Sequence, residues 1–441
     1  MSLQTLPRLT RTELTRAGRA AAAPPVRIVH LGAGAFHRAH QAWFTAHATD
    51  AAAWGIAAFT GRHDTVARQL APQDGLFTLV ERGPETDRFE VVPTIAEVHP
   101  ASDAARFAAR MAAPATAVVT LTVTEAGYHQ RPDGTLDLHD PAVRHDIQAL
   151  RDERYAAVRT PTGRLLVGLE ARRLAGAPPL TVVPCDNVPA NGARLHAAVL
   201  TLAKRTGLEA ALARTAFVTT SVDRITPHTT EDDRVAVADA TGWRDEGAVV
   251  AEPFADWTLS GDFAGERPAW EGAGARFVAD IEPYERRKLL LLNGGHLALA
   301  FGGLLRGHTT VAQAMADERC RRDLDAFWDE AARAAGSVDT RDYRAALVRR
   351  FENGRIEHRL TQITVDTVTK IRMRIVPVLA HARAEGRSGA GALAVVRAWA
   401  DGIRSERIDD ETDAAAALAR LLEGTDPGLA ADLAGAVSAR S

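Results

Sequence analysis

One apolar stretch of the chain, residues 285–296, carries four polar side chains: Glu285, Lys288, Asn293 and His296. On an α-helix turning about 100° per residue, these four lie within an arc of roughly 140°. A lysine and an amide on an otherwise apolar element cost free energy when buried unless they are paired. The pattern therefore predicts catalysis, in which Lys288 exchanges a proton with a carbonyl or an alcohol and Asn293 holds the oxygen.

The composition is that of an ordinary globular protein, and it argues against several classes of partner. The chain has 441 residues, 46% of them hydrophobic and 25% charged, which is enough for two domains. Its 53 basic and 56 acidic residues nearly cancel, so we expect neither nucleic acid nor an anionic membrane as a partner. Cys185 and Cys320 lie far apart, and neither an apolar leader nor about 18 consecutive apolar residues occurs. These features favour a cytoplasmic protein.

The first strand–turn–helix pattern is typical of a dinucleotide-binding fold. Residues 26–31 form a β-branched run that leads into Gly32 and Gly34, and a helical pattern follows from Phe36. Such glycines let backbone N–H groups approach a pyrophosphate at a helix N-terminus. His37 stands where the fingerprint has its third glycine, so an ordinary glycine-rich turn remains the alternative.

The second strand pattern, residues 54–59, leads to the position that reads the adenosine ribose in such folds. An acidic side chain there binds the 2′-hydroxyl of NAD, whereas an arginine accepts the 2′-phosphate of NADP. The chain offers Arg62, with Asp64 two residues later. Both cofactors therefore remain open, and Arg62 alternatively stacks on the adenine or is simply solvated.

Polar side chains also follow two later strand patterns. Residues 117–123 are almost continuously apolar or β-branched and end at Thr124 and Glu125. Because open α/β sheets bind ligands at the carboxyl ends of their strands, we expect both residues on the cofactor side. The alternative, which the sequence supports equally, is that they cap the start of a loop. Residues 180–185 lead to Asn187, whose amide either donates to a substrate oxygen or forms a turn.

The pattern changes along the chain from strands to helices. A last strand, residues 216–222, ends in Asp223 and Arg224, which by spacing alone form a structural ion pair. Helical periodicity takes over after residue 283. We therefore predict an α/β protein, with a Rossmann-type NAD(P)-binding domain at residues 1–283 and a mostly α-helical substrate and catalytic domain at residues 284–441. The predicted hairpin strands are 73–81 and 89–93, and the predicted C-terminal helices are 312–336, 342–353, 356–375, 391–405 and 414–422.

Several motifs occur together in one order. They are LGAGAFHRAHQ (31–41), LTVTEAGYH (121–129), CDNVPANG (185–192), VDRITP (222–227), EPFADW (252–257), KLLLLNGGH (288–296) and RFENGRIEHRLTQI (350–363). Over about residues 26–380 the combination resembles the polyol-specific long-chain dehydrogenases, the family of mannitol dehydrogenases, D-arabinitol dehydrogenases and uronate reductases. It is most similar to the fructuronate reductases, also called D-mannonate oxidoreductases. The joint occurrence of these motifs is far more specific than any one of them.

The resemblance implies a reaction and an active site. Members of this family transfer hydride between substrate and NAD or NADP without a metal, in the cleft between a Rossmann-type domain and a helical domain. By motif, Lys288 is the expected general acid/base. Asn187 and Asn293 are expected to polarise the reacting oxygen, and His296 to orient the substrate. The other implied contacts are those of Arg355 and His358 with the far end of the sugar chain, and of Gly32, Gly34, Phe36, Val222 and Asp223 with the dinucleotide.

Elementary chemistry agrees with these roles. Hydride leaves a C–OH carbon only when the hydroxyl proton is removed, and the developing alkoxide needs donors aimed at it. Lys288 can take that proton when it is desolvated, which the neighbouring leucines favour. Glu285, one turn earlier, either relays the proton to solvent or forms a resting salt bridge with the lysine.

The expected substrate is a sugar acid. A carboxylated substrate needs a cation, best a bidentate arginine. The C-terminal domain supplies Arg355, Arg359, Arg372 and Arg374. We therefore expect D-mannonate and D-fructuronate as the substrate pair, with mannitol or D-arabinitol oxidation as the alternative.

Two functions of other classes compete with this interpretation. His30, His37 and His40 suggest a metal hydrolase, but no carboxylate or cysteine stands at ligand spacing beside them and Arg38 would repel a cation, so we predict no metal. A non-catalytic, nucleotide-sensing protein on the same fold is the second alternative, and Lys288 argues against it. No heptad pattern stands out, so a monomer or a homodimer is expected.

Overall fold

The computed structural model describes residues 5–19, 22–131, 133–336, 338–409 and 413–438. Contacts between Cα atoms divide the chain into two compact units. The first unit comprises Met1–Arg82 and Thr86–Ile281, and the second comprises Gly83–Glu85 and Glu282–Ser441. The change from strand to helix patterns places the boundary two residues later, at 283/284.

Strands lie in the first unit. They are β1 (Val26–Leu31), β2 (Gly55–Phe59), β3 (Phe77–Arg82), β4 (Asp87–Val92), β5 (Ile95–His99), β6 (Val118–Leu121), β7 (Leu180–Pro184), β8 (Thr215–Phe217), β9 (Thr219–Asp223), β10 (Val249–Ala251), β11 (Asp256–Ser260) and β12 (Arg276–Val278).

Six of these strands form a parallel sheet in the order β5-β2-β1-β6-β7-β8. When these six strands are numbered by their order along the chain, the order in the sheet is 3-2-1-4-5-6, which is that of the Rossmann fold. The predicted α/β class is confirmed. The order reverses between β1 and β6, and ligands bind at such switch points in open α/β sheets.

The first unit also contains nine α-helices in its described part. They are α1 (Arg11–Arg16), α2 (Ala35–His37), α3 (Trp43–Ala46), α4 (Thr65–Leu70), α5 (Ala104–Ala112), α6 (Pro141–Arg151), α7 (Pro161–Leu174), α8 (Asn191–Thr206) and α9 (Glu231–Thr241). Successive residues of β2 point to opposite faces: Ile56 and Ala58 join one apolar cluster, Ala57 and Phe59 the other. Burial on both faces explains why these strands are continuously apolar.

Two three-stranded sheets complete the first unit, in the orders β10-β3-β4 and β12-β11-β9. The pairing of β3 with β4 confirms the predicted hairpin. The single strand predicted at 216–222 is wrong, because β8 belongs to the main sheet while β9 pairs with β11. Helix α8 causes the break: a Cβ on Gly192 would lie 2.3 Å from the carbonyl oxygen of Val218. The Thr220 N–H donates to Asn191 Oδ1 instead of to a neighbouring strand of the main sheet.

The second unit is mostly helical, as predicted. Its helices are α10 (Glu282–Arg287), α11 (Gly294–Leu305), α12 (Val311–Ala316), α13 (Glu318–Ala335), α14 (Arg341–Phe351), α15 (Leu360–Ile363), α16 (Thr367–Arg374), α17 (Val376–Ala384), α18 (Ala390–Arg404), α19 (Ala414–Leu422) and α20 (Pro427–Ser438).

Two predicted C-terminal helices are each divided. The helix expected at 312–336 breaks at Asp317, whose carboxylate caps α13 by accepting from two backbone N–H groups. The helix expected at 356–375 is wrong over its first turn, and Asp366, in the left-handed region with φ of 54°, separates α15 from α16.

One helical stretch in the described part of the chain, Glu282–Leu305, is long and apolar enough to cross a membrane by length and composition alone. Of its most apolar window, 72% is buried inside the protein. The same length and apolarity are found in the central helix of a packed helical unit.

Candidate active site

The turn after β1 requires glycine at its first position. Gly32 has φ of +103°, and a Cβ there would lie 2.1 Å from the carbonyl oxygen of Thr122, beyond the end of β6. The Thr122 hydroxyl also donates to Gly32 O at 2.7 Å. Gly32 therefore fixes the contact between the two strand ends at the switch point of the sheet.

Gly34 needs a different explanation. It precedes α2 with φ of −99°, which any residue adopts, and a Cβ there would lie 3.7 Å from Gly32 O, an ordinary van der Waals contact. Among the described residues, neither the backbone nor packing demands a glycine here. The space beside the backbone N–H groups is the room that a pyrophosphate needs at a helix N-terminus. The turn thus fits a dinucleotide, while Phe36 is half-buried and stacks on His40.

The three histidines of this region do not converge on one ion. His30 hydrogen-bonds to the hydroxyls of Thr120 and Thr122, at 2.8 and 3.0 Å. His37 stacks on His30 with ring centroids 3.3 Å apart and planes at 11°, and His40 bonds to a backbone carbonyl. Since a histidine binds metal in its ring plane, two nearly parallel stacked rings cannot share an ion. The metal-hydrolase alternative therefore has no ligand set here.

The ribose-reading position lies on an exposed turn. Arg62 is exposed, directly after the end of β2. The Thr60 hydroxyl lies 3.5 Å from Asp64 and accepts from the backbone N–H of Ala101. Asp64 thus contacts the strand end, whereas the guanidinium of Arg62 extends toward solvent.

Thr124 and Glu125 lie at the carboxyl end of β6, where both are exposed. Thr124 precedes a single 3-10 turn, Glu125–Tyr128, but its side chain makes no capping hydrogen bond. The alternative of a side-chain cap is therefore wrong, and both residues stay candidates for cofactor binding.

A buried carboxylate that the sequence did not single out holds the loop before Asn187. Asp186 accepts from the backbone N–H of Val123 at 2.5 Å and from the hydroxyl of Tyr128. Burial raises the pKa of Asp186 to about 7. These bonds tie the end of β7 to the loop after β6, and Asn187 itself is exposed.

Asn191 holds the other side of the same loop. Its amide Nδ2 donates to the carbonyls of Asp186 and Thr220, each at 3.0 Å. The preceding Ala190 adopts a left-handed conformation with φ of 52°. Asp186 and Asn191 hold the loop that carries Asn187. The signal for them in the sequence is that both are polar residues of the motif CDNVPANG, which follows a strand pattern.

Residues 222–224 have separate surroundings. Val222 is 1% exposed and belongs to the apolar core, and Asp223 is buried at the end of β9. Arg224 forms an ion pair with Glu81, a residue of β3, at 3.1 Å. Its guanidinium also donates to two backbone carbonyls. The partner of Arg224 is therefore Glu81, and the expected pairing with Asp223 is replaced.

The stretch that carries Lys288 is not a regular α-helix. A π-helical segment, Lys288–Asn293, joins α10 to α11. In a π-helix each hydrogen bond spans five residues, so residues five apart lie closer to one line than in an α-helix, which turns them about 140° apart. Lys288 and Asn293 are five residues apart. The uniform turn expected from the sequence is therefore wrong, and the π segment brings these two side chains closer to one line.

Packing against α13 explains why the helix widens there. A Cβ on Gly294 would lie 2.8 Å from the ring of Phe327, and a Cβ on Gly295 would lie 2.7 Å from Trp328 Nε1. The two glycines let α13 come close. The Trp328 indole N–H then donates to the carbonyl of Leu291, inside the π segment, at 2.8 Å.

Glu285, Lys288 and Asn293 are half-buried, and His296 on α11 is 8% exposed. The His296 ring lies 4.7 Å from the ring of His358 and 4.6 Å from that of Phe351. Burial lowers the pKa of His296 well below its usual value, and the charges of His358, Arg350 and Arg374 lower it further. His296 and His358, which the resemblance assigns to substrate contacts, thus touch each other within the second unit.

The arginines proposed for a substrate carboxylate differ in their surroundings. Arg355 is exposed and donates to Gly83 O at 3.1 Å. Arg359 pairs with Glu357 at 2.7 Å and is 61% exposed. Arg372 is exposed and donates to a backbone carbonyl of α19. Arg374 is the one whose charge acts on His296.

Two family descriptions match the chain. The mannitol dehydrogenase Rossmann domain matches residues 26–272, and the mannitol dehydrogenase C-terminal domain matches residues 280–414. Among similar proteins, D-mannonate oxidoreductase of Escherichia coli (strain K12) is 36% identical over 371 residues, which cover 80% of this chain and 75% of that protein. D-arabinitol 4-dehydrogenase of Ralstonia nicotianae is 36% identical over 394 residues, which cover 86% and 81%.

A solved structure agrees with these matches. The ternary complex of Pseudomonas fluorescens mannitol 2-dehydrogenase with NAD and D-mannitol is similar with a TM-score of 0.80 and 32% identity, covering 98% of this chain and 96% of that one. The two family matches together extend over most of the chain, as the resemblance in the motifs implies. The protein therefore belongs to the mannitol dehydrogenase family of oxidoreductases.

Proposed function

We propose that the protein is an NAD(P)-dependent, metal-independent dehydrogenase that interconverts a sugar acid and its keto form, with D-mannonate and D-fructuronate as the substrate pair. The observation that carries the proposal is the π segment Lys288–Asn293, because it brings a lysine and an amide closer to one direction than an α-helix would. Family membership and the 36% identity to a D-mannonate oxidoreductase support it.

The proposed cofactor is NAD, as in the mannitol 2-dehydrogenase complex named above. When bound, its nicotinamide accepts the hydride from the substrate carbon or returns it. Gly34 supports the proposal, because the open space at its Cβ position suits a pyrophosphate. NADP is the alternative through Arg62. The residues proposed to hold the dinucleotide are Gly32, Gly34, Phe36, Thr124, Glu125, Val222 and Asp223.

We assign the proton transfer to Lys288, whose amine removes the hydroxyl proton during oxidation and returns it during reduction. Asn187 and Asn293 donate to the developing alkoxide, which stabilises it without adding a charge. Glu285, three residues before the lysine, relays the proton to solvent.

His296 is proposed to orient the substrate, with Arg355 and His358 at the far end of the sugar chain. The contact of the His296 and His358 rings supports a shared role for these two.

A second candidate function is oxidation of a neutral polyol. It is favoured by the D-arabinitol 4-dehydrogenase, which matches 86% of this chain, and by the mannitol 2-dehydrogenase structure. The same residues would carry the chemistry, since only the recognition of the substrate's end differs.

A substrate panel tests the proposal. Initial rates with D-mannonate, D-mannitol, D-arabinitol and D-sorbitol are measured with NAD and with NADP by the absorbance of the reduced cofactor. We expect the highest kcat/KM for D-mannonate with NAD. A higher kcat/KM for mannitol or arabinitol would favour the second candidate, and no turnover of any member would contradict both. Gel filtration of the same sample decides between the expected monomer and homodimer.

A further inference from the structure

His296 has one ring nitrogen without a hydrogen-bonding partner in the described part of the chain. The side chain is 8% exposed, and its Nε2 is buried and unpartnered. A buried polar atom of this kind costs free energy unless something bonds to it. Its ring contacts are those with His358 and Phe351, and neither gives Nε2 a hydrogen bond.

Two arginines come to this histidine from different helices. Arg374 ends α16, and its backbone carbonyl lies 3.5 Å from where a Cβ on Gly294 would be, two residues before His296. Arg350 is in the last turn of α14, next to Phe351, whose ring contacts His296. Helices α14 and α16 thus place Arg374 beside the helix that carries His296, and Arg350 next to the phenylalanine whose ring contacts His296.

The electrostatics of this region is cationic. The charge of Arg350 lowers the pKa of both His296 and His358, and that of Arg374 lowers the pKa of His296. Burial is the larger cause for each histidine. Arg350 and Arg374 are half-buried, whereas Arg355, Arg359 and Arg372 are exposed. The positive charges of Arg350 and Arg374 act on two imidazoles that stay neutral. Such a region suits an anionic group of a ligand.

We propose that Arg350 and Arg374, with His296 and His358, form an anion corner that binds the carboxylate of the sugar-acid substrate. Arginine presents parallel N–H donors that match a carboxylate bidentately, and such charge-assisted bonds are stronger than neutral ones. His296 Nε2–H supplies a further donor in its neutral form. The proposal rests on the proposed sugar-acid dehydrogenase function and adds the residues that distinguish an acid from a neutral polyol.

The test compares one charged and one neutral substrate in full-length variants. Arg374→Gln and Arg350→Gln are assayed with D-mannonate and with D-mannitol at saturating NAD, and Arg349→Gln, at an exposed position of the same helix as Arg350, is the matched control. We expect kcat/KM for mannonate to fall roughly 10- to 100-fold, as for the loss of a hydrogen bond to a charged group. The loss appears mainly as a higher KM. Turnover of mannitol and the activity of the control stay close to those of the wild type.

Arg374→Lys separates charge from geometry. Because lysine keeps the charge but not the planar fork, we expect it to recover part of the mannonate activity that Arg374→Gln loses. Equal losses on mannonate and mannitol would mean that the arginines only support the fold, and would overturn the inference. Unchanged mannonate kinetics in both glutamine variants would overturn it as well. Failure of the wild-type enzyme to oxidise mannonate is a separate result, which contradicts the proposed function itself.

Discussion

At the scale of single residues, the two glycines of the turn after β1 do different work. Gly32 is required by the protein itself, because its φ is positive and a side chain there would collide with Thr122. Gly34 has an ordinary φ and open space at its Cβ position. The first glycine is therefore required by the fold, and the second is the one that we propose makes room for the dinucleotide.

This difference predicts opposite outcomes for two alanine variants. Gly34→Ala should fold with wild-type thermal stability but bind NADH more weakly, because the new methyl group occupies space that the pyrophosphate needs. Gly32→Ala should lose stability, since both the backbone and the contact with Thr122 forbid a Cβ. Thermal unfolding and fluorescence titration with NADH measure the two effects. Unchanged NADH affinity in Gly34→Ala would show that the turn does not bind the dinucleotide.

At the scale of elements, the π segment Lys288–Asn293 joins α10 to α11 and carries the proposed catalytic side chains. It depends on the close approach of α13 at Gly294 and Gly295, and on the indole N–H of Trp328 that bonds to Leu291 O. Single-turn π segments inside α-helices occur frequently at functional sites, because they change the direction of the side chains that they carry. Here those side chains are Lys288 and Asn293.

Two tryptophans test whether the indole bond to the π segment matters for catalysis. Trp328 and Trp399 are both buried in the second unit, and each donates one indole hydrogen bond, to Leu291 O and to Thr367 Oγ1. Replacing either by phenylalanine should lower the free energy of unfolding by about 1–3 kcal/mol, because a buried acceptor loses its partner. Only Trp328→Phe should also lower kcat. Equal kcat values in the two variants would contradict a role for this bond.

The sequence predicts these elements unequally. The β-branched run of β1 and its glycines identify the first strand and turn, because local pattern determines both. The π segment is not predictable in this way, since α- and π-helices share the same apolar composition and the widening depends on Trp328, 37 residues away. The separation of β8 from β9 likewise depends on Asn191 and Gly192, in another element.

Residue roles show the same limit. Asn187, Lys288 and Asn293 are identifiable from their motifs, whereas the pairing of Asp186 with Tyr128 joins residues 58 apart and appears only in the fold. The surroundings of Arg374 are equally invisible in the sequence, where it is one of several arginines.

At the scale of the whole molecule, buried histidines make stability depend on pH. Burial lowers the pKa of His30 to about 3, and it lowers the pKa values of His37, His296 and His358 below the usual value. The unfolded chain takes up protons near pH 6.5, where the folded protein does not. Stability from these groups is therefore complete above about pH 6.5 and is lost as the pH falls below it.

A single substitution isolates this effect. His37→Phe keeps an aromatic ring stacked on His30 but removes one group that protonates on unfolding. We expect its free energy of unfolding to fall less than that of the wild type between pH 7 and pH 5, by up to about 1.4 kcal/mol per pH unit. Urea unfolding at several pH values measures it, with His63→Phe at an exposed position as the control. A parallel decline in wild type and His37→Phe would contradict the prediction.

We propose that Lys288, on the π segment, carries the proton transfer. The most direct test of this proposal is kcat of Lys288→Ala with the best substrate of the panel, measured together with the Kd for NADH. We predict a fall in kcat of about 10²- to 10⁴-fold, the range of general acid/base catalysis, with NADH binding and thermal unfolding unchanged. Full turnover by Lys288→Ala would contradict the role of Lys288 in proton transfer.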